Sequence, residues 1–158
     1  YAAGVCLFAH IFMTYFYCLE LTDGISMNPT LRSADDWVLI SKYYRHGREI
    51  GVGDVISFRH PVNTGGYAAK RVLGMPGDFV LLDVVTPDNE GTAEGNQRML
   101  QVPEGHCWVV GDNLPWSRDS RLYGPVPLAL VTGKVIKVLS LGQDWWFRDV
   151  ENALRPAE

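Results

Sequence analysis

The stretch KRVLGMPGDFVLL, residues 70 to 82, places two short apolar runs on either side of a tight-turn sequence. Met75 to Asp78 supplies the turn, because proline fixes φ and glycine adopts backbone conformations that other residues avoid. The flanking runs, Lys70 to Leu73 and Phe79 to Leu82, have the length and the side chains of β-strands. We therefore predict two strands joined by a turn, and we expect the body of the protein to repeat this unit.

Working outward from this stretch, the same alternation of apolar runs and turns holds for most of the chain after Thr30. Turn sequences recur at Gly51 to Asp54 and at Pro103 to Gly105. The other predicted strands are Val38 to Ser41, Val55 to Phe58, Met99 to Val102, Cys107 to Val110 and Val131 to Leu139. The pattern predicts a mainly β, antiparallel body. The polar residues 86–97 are predicted to form an exposed loop without chemistry.

The N-terminal residues 1 to 19 carry no formal charge and are apolar on every face of a helix, with His10 and Thr14 as the main polar exceptions. As one helix they would be about 28 Å long, close to the hydrocarbon thickness of a bilayer. We predict one transmembrane anchor over residues 1–20; a cleaved signal segment and a buried core helix are the alternatives. Because the chain begins with Tyr1 rather than methionine, we expect N-terminal residues to be missing.

The C-terminal residues after the last predicted strand form a separate segment in this interpretation. We divide the chain into the anchor (1–20), the β body (21–142) and an aromatic segment with a polar tail (143–158). Trp145, Trp146 and Phe147 either dip into a membrane interface or close the β core. The tail is predicted to be a short helix from Asp149 to Leu154 or to be disordered.

Composition excludes several classes of partner. The chain has 14 basic and 18 acidic residues, for a net charge of -4, and the basic residues form no run. We therefore expect no nucleic-acid surface. The three cysteines, Cys6, Cys18 and Cys107, have neither the spacing of a zinc pair nor that of a disulfide framework. We predict no metal and no cofactor.

Residues 24 to 30, Gly-Ile-Ser-Met-Asn-Pro-Thr, hold a lone serine on a predicted bend. Pro29 biases Asn28 towards extended conformations, and Gly24 frees the backbone before the serine. Such a bend can aim both the hydroxyl and the N–H of Ser26 at one substrate carbonyl. A plain turn after a helix is the alternative.

A nucleophilic serine needs a base within hydrogen-bond reach. Among the histidines, His46 lies in a basic polar stretch and His60 precedes a proline at a strand end, while His106 has no obvious orienting carboxylate nearby except Glu104. A Ser-His-Asp triad is therefore an alternative that the sequence does not indicate. Lys70 lies in an apolar strand, where alternation places it on one face with Ala68 and Val72. If this face is inward, burial lowers the lysine pKa and yields a neutral amine that can accept a proton. A solvent-facing lysine is the alternative.

Residues 111 to 125 form a polar, turn-rich loop between apolar strands. A loop of this kind is either solvated or supports a site. We predict a local network in which Asp119 pairs with Arg121 and a serine hydroxyl, from Ser117 or Ser120, steadies a neighbouring amine.

Read together, these segments resemble the type I signal peptidases, membrane-bound peptidases with a Ser-Lys site. The resemblance covers about residues 5 to 140 and rests on an anchor followed by four ordered boxes: residues 24–31, 53–58, 70–78 and 111–125. Residues 102–114 and the small body are most similar to the mitochondrial members of that family.

The resemblance implies a role for each matching residue. Ser26 would be the nucleophile, Lys70 the general base, and Ser117 a group that orients the lysine amine. Asp119 with Arg121, and Arg71 with Asp112, would be supporting ion pairs. Met27 would pack under the substrate, Ala68 is predicted as a pocket wall, and the N–H of Ser26 would serve the oxyanion hole. In the bacterial enzymes a serine two residues before the nucleophile is a second donor, whereas this chain has Gly24 there.

The implied function is removal of signal or sorting sequences from precursor proteins, bound as extended peptides. The implied location is the mitochondrial inner membrane, in contact with lipid and with the catalytic domain facing the intermembrane space. A second, related protease subunit is the expected partner. The alternatives are a bacterial-type signal peptidase I, a non-catalytic precursor-binding subunit and a soluble self-cleaving repressor of the Ser-Lys kind.

Overall fold

The computed structural model describes residues 1–32, 36–63, 65–82, 98–140, 147–150 and 152. The α-helices in these residues are α1 (Ala2–Tyr15) and α2 (Ser120–Tyr123). The strands are β1 (Tyr17–Leu21), β2 (Asp36–Ser41), β3 (Val55–Arg59), β4 (Tyr67–Gly74), β5 (Phe79–Leu82), β6 (Arg98–Gln101), β7 (His106–Val110), β8 (Val126–Pro127), β9 (Val131–Ser140) and β10 (Phe147–Asp149). The mainly β fold expected from the sequence is confirmed.

The strands form one antiparallel sheet and a separate ribbon. The sheet has the order β1-β2-β9-β3-β4-β7-β8, β10 pairs with β9, and β5 pairs with β6 in the ribbon. Register shifts interrupt the pairing of β9 with both β2 and β3. Because such irregularities bend a strand, they curve the sheet near its middle.

Alternate side chains of the central strands belong to two different apolar clusters. Val55 packs with Val38, Ile40 and Val135, whereas its neighbour Ile56 belongs to a different cluster. Successive side chains of a strand point to opposite faces, so one strand contributes to both. The central strands are thereby fixed from both sides, which gives the adjacent site a rigid support.

The turns that the sequence predicted are present. Residues 75–78 close with a hydrogen bond from Asp78 N–H to Met75 O at 3.0 Å, and Gly77 has a φ of 90°. The turn at Gly51 to Asp54 also closes through a backbone hydrogen bond, 3.2 Å long. The turn at Gly51 to Asp54 leads into β3, and the turn at residues 75–78 joins β4 to β5. The two turns therefore bound the β3–β4 pair that carries Lys70.

The N-terminal apolar run does not form one helix to residue 19, and this prediction was wrong in its boundary. Helix α1 ends at Tyr15, and Tyr17–Leu21 forms β1 along the edge of β2, with Tyr17 opposite Ser41. An apolar run is compatible with either a helix or a strand. Here the edge of β2 offers backbone hydrogen bonds to residues 17–21, and these residues form a strand. None of the α1 residues is buried. The helices among the described residues all fall short of the length and apolarity needed to cross a bilayer.

The predicted C-terminal helix from Asp149 was wrong at its start. Phe147–Asp149 forms β10 against β9, so Asp149 ends a strand rather than beginning a helix. Phe147 is 59% exposed and does not close the core. Trp145, Trp146 and residues 86–97 lie outside the described residues.

Candidate active site

The backbone around Ser26 forms one short 3-10 turn after a glycine. Gly24 has a φ of 102°, in the region that favours glycine, and Ile25–Met27 make the turn. Asn28 then becomes extended, with φ -68° and ψ 138°, as the following proline requires. Met27 is buried at 3% exposure, while Ser26 is half-buried. The turn therefore inserts Met27 into the core and leaves the Ser26 hydroxyl accessible.

Lys70 projects from β4 to meet this hydroxyl. Its Nζ lies 2.5 Å from Ser26 Oγ, and the residue is 5% exposed. Burial lowers the pKa of Lys70 below its ordinary value, because the charged amine loses hydration. The negative charges of Asp119 and Asp112 oppose this effect without overcoming it. The structure thus brings together the two residues that sequence reasoning paired across 44 positions.

A cleft of about 480 Å³ opens beside Ser26 and Lys70. Met27 and Ala68 both line it, where they were expected. Its base is apolar, since it includes buried residues of the core cluster around Val55: Leu31, Val38, Ile40 and Val135. A cleft of this kind can hold a short peptide segment whose carbonyl reaches Ser26.

Beside the cleft, one edge of β4 has a free stretch. The N–H of Val72 donates to Asp54 O, and the C=O of Val72 accepts from Gly53 N–H. Both bonds lie on the edge of β4 that faces β3. Alternation then directs the peptide groups of Ala69 to the opposite edge. Along that edge β7 pairs only with residues 71–74. Tyr67–Ala69 is paired with β3 on its other side, but no described strand pairs with it along this edge.

The predicted network of Ser117, Asp119 and Arg121 is present, with one difference. Asp119 is fully buried and accepts hydrogen bonds from the N–H of Gly111 at 3.0 Å and from Nε of Arg121 at 2.9 Å. Burial raises the pKa of Asp119, but these hydrogen bonds outweigh it and hold the pKa below its ordinary value. The hydroxyl of Ser117 adds to this lowering, yet it meets hydrogen-bond geometry with no described residue. No contact between Ser117 and the Lys70 amine is seen at hydrogen-bond distance among the described residues.

Arg71 and Asp112 form the second ion pair, at 2.7 Å between Nη2 and Oδ2. Arg71 Nη1 also donates to Gly53 O at 2.7 Å, and the Thr30 hydroxyl donates to the Asp112 carboxylate. Burial raises the pKa of Asp112, but the hydrogen bonds from Arg71 and Thr30 prevail and lower it. The pair therefore joins the Ser26 segment, through Thr30, to β4.

Sequence reasoning missed the part played by Asn113. Its backbone N–H donates to Ser26 O at 3.0 Å, and its side-chain Nδ2 donates to Ile25 O at 3.0 Å. The preceding Gly111 lies so close that a Cβ there would collide with Ser117 Oγ and Ser26 O. The sequence Gly111-Asp112-Asn113 gave a signal as a motif, but no rule of spacing assigns a contact across 88 positions.

The sequence pattern of the family described as signal peptidase, peptidase S26, matches residues 1–86 and 82–140. The chain belongs to this peptidase family. The resemblance that the four boxes indicated is therefore confirmed, and the chain is a serine peptidase.

Two relatives carry names that bear on this S26 peptidase. Mitochondrial inner membrane protease subunit 1 of Saccharomyces cerevisiae is 38% identical over 157 residues, 96% of this chain and 83% of the yeast protein. Mitochondrial inner membrane protease subunit 2 of Danio rerio is 32% identical over 127 residues, 78% of this chain and 64% of that protein. These similarities support a mitochondrial inner membrane location for the chain.

Among solved structures, the chain is similar to a signal peptidase I from Enterococcus faecalis V583. The likeness has a TM-score of 0.43 at 30% sequence identity, and it covers 56% of this chain and 97% of the bacterial one.

Proposed function

We propose that this S26 peptidase is a membrane-attached serine endopeptidase in which Ser26 and Lys70 form the catalytic dyad. Its substrates in this proposal are precursor proteins delivered to the mitochondrial intermembrane space, from which it removes signal or sorting sequences. The observation that carries the proposal is the 2.5 Å distance between Lys70 Nζ and Ser26 Oγ inside a cleft, with Lys70 as a whole 5% exposed. A buried amine at this distance fits a base that takes the serine proton.

The proposed reaction has two halves. Neutral Lys70 accepts the hydroxyl proton as Ser26 Oγ bonds to the scissile carbonyl carbon, and the lysine ammonium then protonates the amine that leaves as the C–N bond breaks. A water molecule next attacks the acyl-enzyme, giving its proton to Lys70. The acid product departs, and the proton returns to Ser26.

The oxyanion that forms in both halves needs preorganised donors. We assign one donor to the N–H of Ser26, which lies in the same turn as its hydroxyl. Gly24 has no side chain, and its φ of 102° disfavours any residue with one. The second donor is therefore expected from backbone rather than from a side chain at position 24.

The two buried ion pairs act as scaffolding in this proposal. The Arg71–Asp112 pair joins β4 to the loop of residues 111–125, and the Asp119–Arg121 pair braces that loop internally. Both carboxylates also raise the Lys70 pKa electrostatically, so they temper the effect of burial. Ser117 remains a candidate for orienting the amine when substrate is bound.

The peptide substrate is proposed to lie extended along the free edge of β4 at Tyr67–Ala69. The unpaired peptide groups of Ala69 offer main-chain hydrogen bonds to an added strand, and alternate side chains then face the cleft. Met27 would lie under the bound peptide and Ala68 would form a pocket wall. The register of this added strand against β4 would place the scissile peptide bond of the substrate at Ser26, next to Lys70.

Membrane attachment is assigned to the N-terminal apolar segment. Every residue of α1 is exposed, including Val5, Leu7 and Phe8, so the helix presents a largely apolar surface that only a few polar side chains such as His10 and Thr14 interrupt. Because β1 belongs to the main sheet, we assign the anchor to the residues before Tyr17 and the peptidase domain to residues 17–142, with 143–158 as the C-terminal segment. The catalytic domain would face the intermembrane space, and a second, related protease subunit would be the partner, as the subunit names of the relatives suggest.

The test compares purified Ser26→Ala and Lys70→Ala with the wild type. Precursor proteins are incubated in vesicles with each protein, and the new N-termini are mapped by mass spectrometry. We expect cleavage to disappear in both variants while circular dichroism stays unchanged. The mapped termini also give the residue preference at the cut.

Matched control variants separate the chemistry from general effects of substitution. Ser41→Ala removes a buried serine outside the cleft, and Lys137→Ala removes a lysine that pairs with Asp149 at the surface. Both should process precursors normally. Normal processing by Ser26→Ala or Lys70→Ala would instead favour a non-catalytic precursor-binding role.

A further inference from the structure

Asn113 holds two consecutive carbonyls of the segment that carries Ser26. Its side-chain Nδ2 donates to Ile25 O and its backbone N–H donates to Ser26 O, each at 3.0 Å. Because these units flank Ser26, their orientation decides where its N–H points.

The hydrogen bond from Asn113 to the Ile25 carbonyl also fixes the direction of the Ser26 N–H. The Ile25 C=O and the Ser26 N–H belong to one peptide unit, and that unit is trans in the structure. In a planar trans peptide the C=O and the N–H point in opposite directions. We propose that Asn113 is a positioning residue that, by holding Ile25 O, aims the Ser26 N–H at the oxyanion of the acyl-transfer reaction. This inference rests on the function proposed above.

The clamp of residues 111–113 is itself fixed on three sides. Gly111 N–H donates to buried Asp119, and the Asp112 carboxylate is held by Arg71 and by the Thr30 hydroxyl. A side chain at Gly111 would collide with Ser26 O, so the glycine lets the clamp approach closely. Asn113 therefore acts from a rigid base, which preorganised catalysis requires.

The hydrogen bond to Ile25 O from within the turn does not replace the one from Asn113. The N–H of Asn28 also donates to that oxygen, at 3.2 Å, but it belongs to the same short turn and moves with it. Asn113 comes from a different part of the chain. It therefore fixes the peptide unit relative to Lys70 and the cleft, whereas Asn28 fixes it only relative to the turn.

The experiment measures peptide cleavage by the full-length protein carrying Asn113→Ala or Asn113→Asp. Asn113→Asp keeps the shape of the side chain but removes the Nδ2 donor, and it serves if the alanine variant is unstable. Asn152→Ala is the matched control, because Asn152 Nδ2 also donates to a backbone carbonyl, that of Val52, at 2.8 Å. Rates are normalised to active sites titrated with a serine-directed probe, so that loss of folded protein does not count as loss of rate.

We expect kcat to fall roughly 10- to 100-fold in both Asn113 variants, since loss of one whole oxyanion donor costs about 100- to 1,000-fold. KM should change little, and the pH at half-maximal rate should stay where Lys70 sets it. A peptide aldehyde, which forms an oxyanion with Ser26, should lose affinity by the same factor as kcat. Asn152→Ala should match the wild type in each measurement.

Three results would overturn the inference while leaving the dyad intact: an unchanged kcat, a rise in KM alone, or a shift of the pH profile in place of a lower plateau. If Ser26→Ala still cleaves the peptide, the proposed function fails instead. The two failures are therefore distinguishable in one set of assays.

Discussion

Replacement of Asp119 by asparagine tests how the structure holds the supporting loop. The carboxylate is fully buried, and each of its oxygens accepts two hydrogen bonds: Oδ1 from the N–H and Nε of Arg121, Oδ2 from Gly111 N–H and Arg121 Nη2. Asn has the same shape, but its amide nitrogen can accept none of them. Whichever way the amide lies, two donors lose their acceptor, and the Arg121 charge loses its partner.

The magnitude follows from the burial of the two partners. Breaking a buried ion pair by removing one member costs about 3 to 5 kcal/mol. The Arg121 side chain is 29% exposed, so water recovers part of this loss. We therefore expect Asp119→Asn to lower the free energy of unfolding by about 2 to 4 kcal/mol at pH 7.

The stabilisation that Asp119 provides should depend on pH in a defined direction. The folded-state pKa of Asp119 is below its ordinary value of 3.8, so its contribution is complete above that value and is lost as pH falls through the folded pKa. The difference in stability between wild type and Asp119→Asn should be constant near neutrality and narrow below about pH 4. The variant also removes a charge that raises the Lys70 pKa, so the acid limb of activity should move to lower pH.

The assay is urea unfolding followed by tryptophan fluorescence at several pH values, together with a pH–rate profile. Asp149→Asn is the matched control, since that carboxylate is 71% exposed in its pair with Lys137. A loss below 0.5 kcal/mol for Asp119→Asn, the range of an exposed pair, would refute the reasoning. The reasoning would also be refuted if the difference in the free energy of unfolding between wild type and Asp119→Asn became larger at acid pH.

Two glycine substitutions test the backbone around Ser26. Gly24→Ser should lower kcat and melting temperature instead of supplying a second oxyanion donor, because a φ of 102° costs about 1 to 3 kcal/mol for a residue with a side chain; activity above wild type would contradict this. Gly65→Ser, at a φ of 101° and also in open space, controls for the strain alone. Gly111→Ala should displace Ser26 and reduce kcat steeply, since its Cβ meets Ser26 O, whereas Gly51→Ala meets nothing and should behave as wild type.

The body of the fold could be predicted because its turns carry strong local signals. Met75-Pro76-Gly77-Asp78 determines a tight turn on its own, and the runs beside it have the length and side chains of strands. The N-terminal boundary could not be predicted in this way. Tyr17–Leu21 is apolar enough for either a helix or a strand, and only the distant β2 edge selects the strand.

The proximity of Ser26 and Lys70 could be predicted from residue type and order, but the contacts that support the two residues could not. Ser26 and Lys70 stand in recognisable motifs, whereas the inward direction of Lys70 depends on which face of β4 is buried. Asn113 reaches Ile25 through a contact that no periodicity encodes. Ser117 shows the opposite case, since its motif implies a bond to the lysine amine that is not seen among the described contacts.

The central claim is that Lys70 activates Ser26, and the rate of acylation as a function of pH tests it most directly. The protein is mixed with an excess of an activated peptide ester, quenched at set times and digested, and the acyl group is located by mass spectrometry. Lys70→Ala and the surface variant Lys137→Ala are measured alongside.

We predict an adduct on Ser26, formed at a rate that rises with pH and reaches a plateau at a midpoint below 10.5, the ordinary lysine pKa. Lys70→Ala should abolish this acylation and Lys137→Ala should not. An adduct on another residue would contradict the account, as would a Ser26 rate that climbs without a plateau and is indifferent to Lys70.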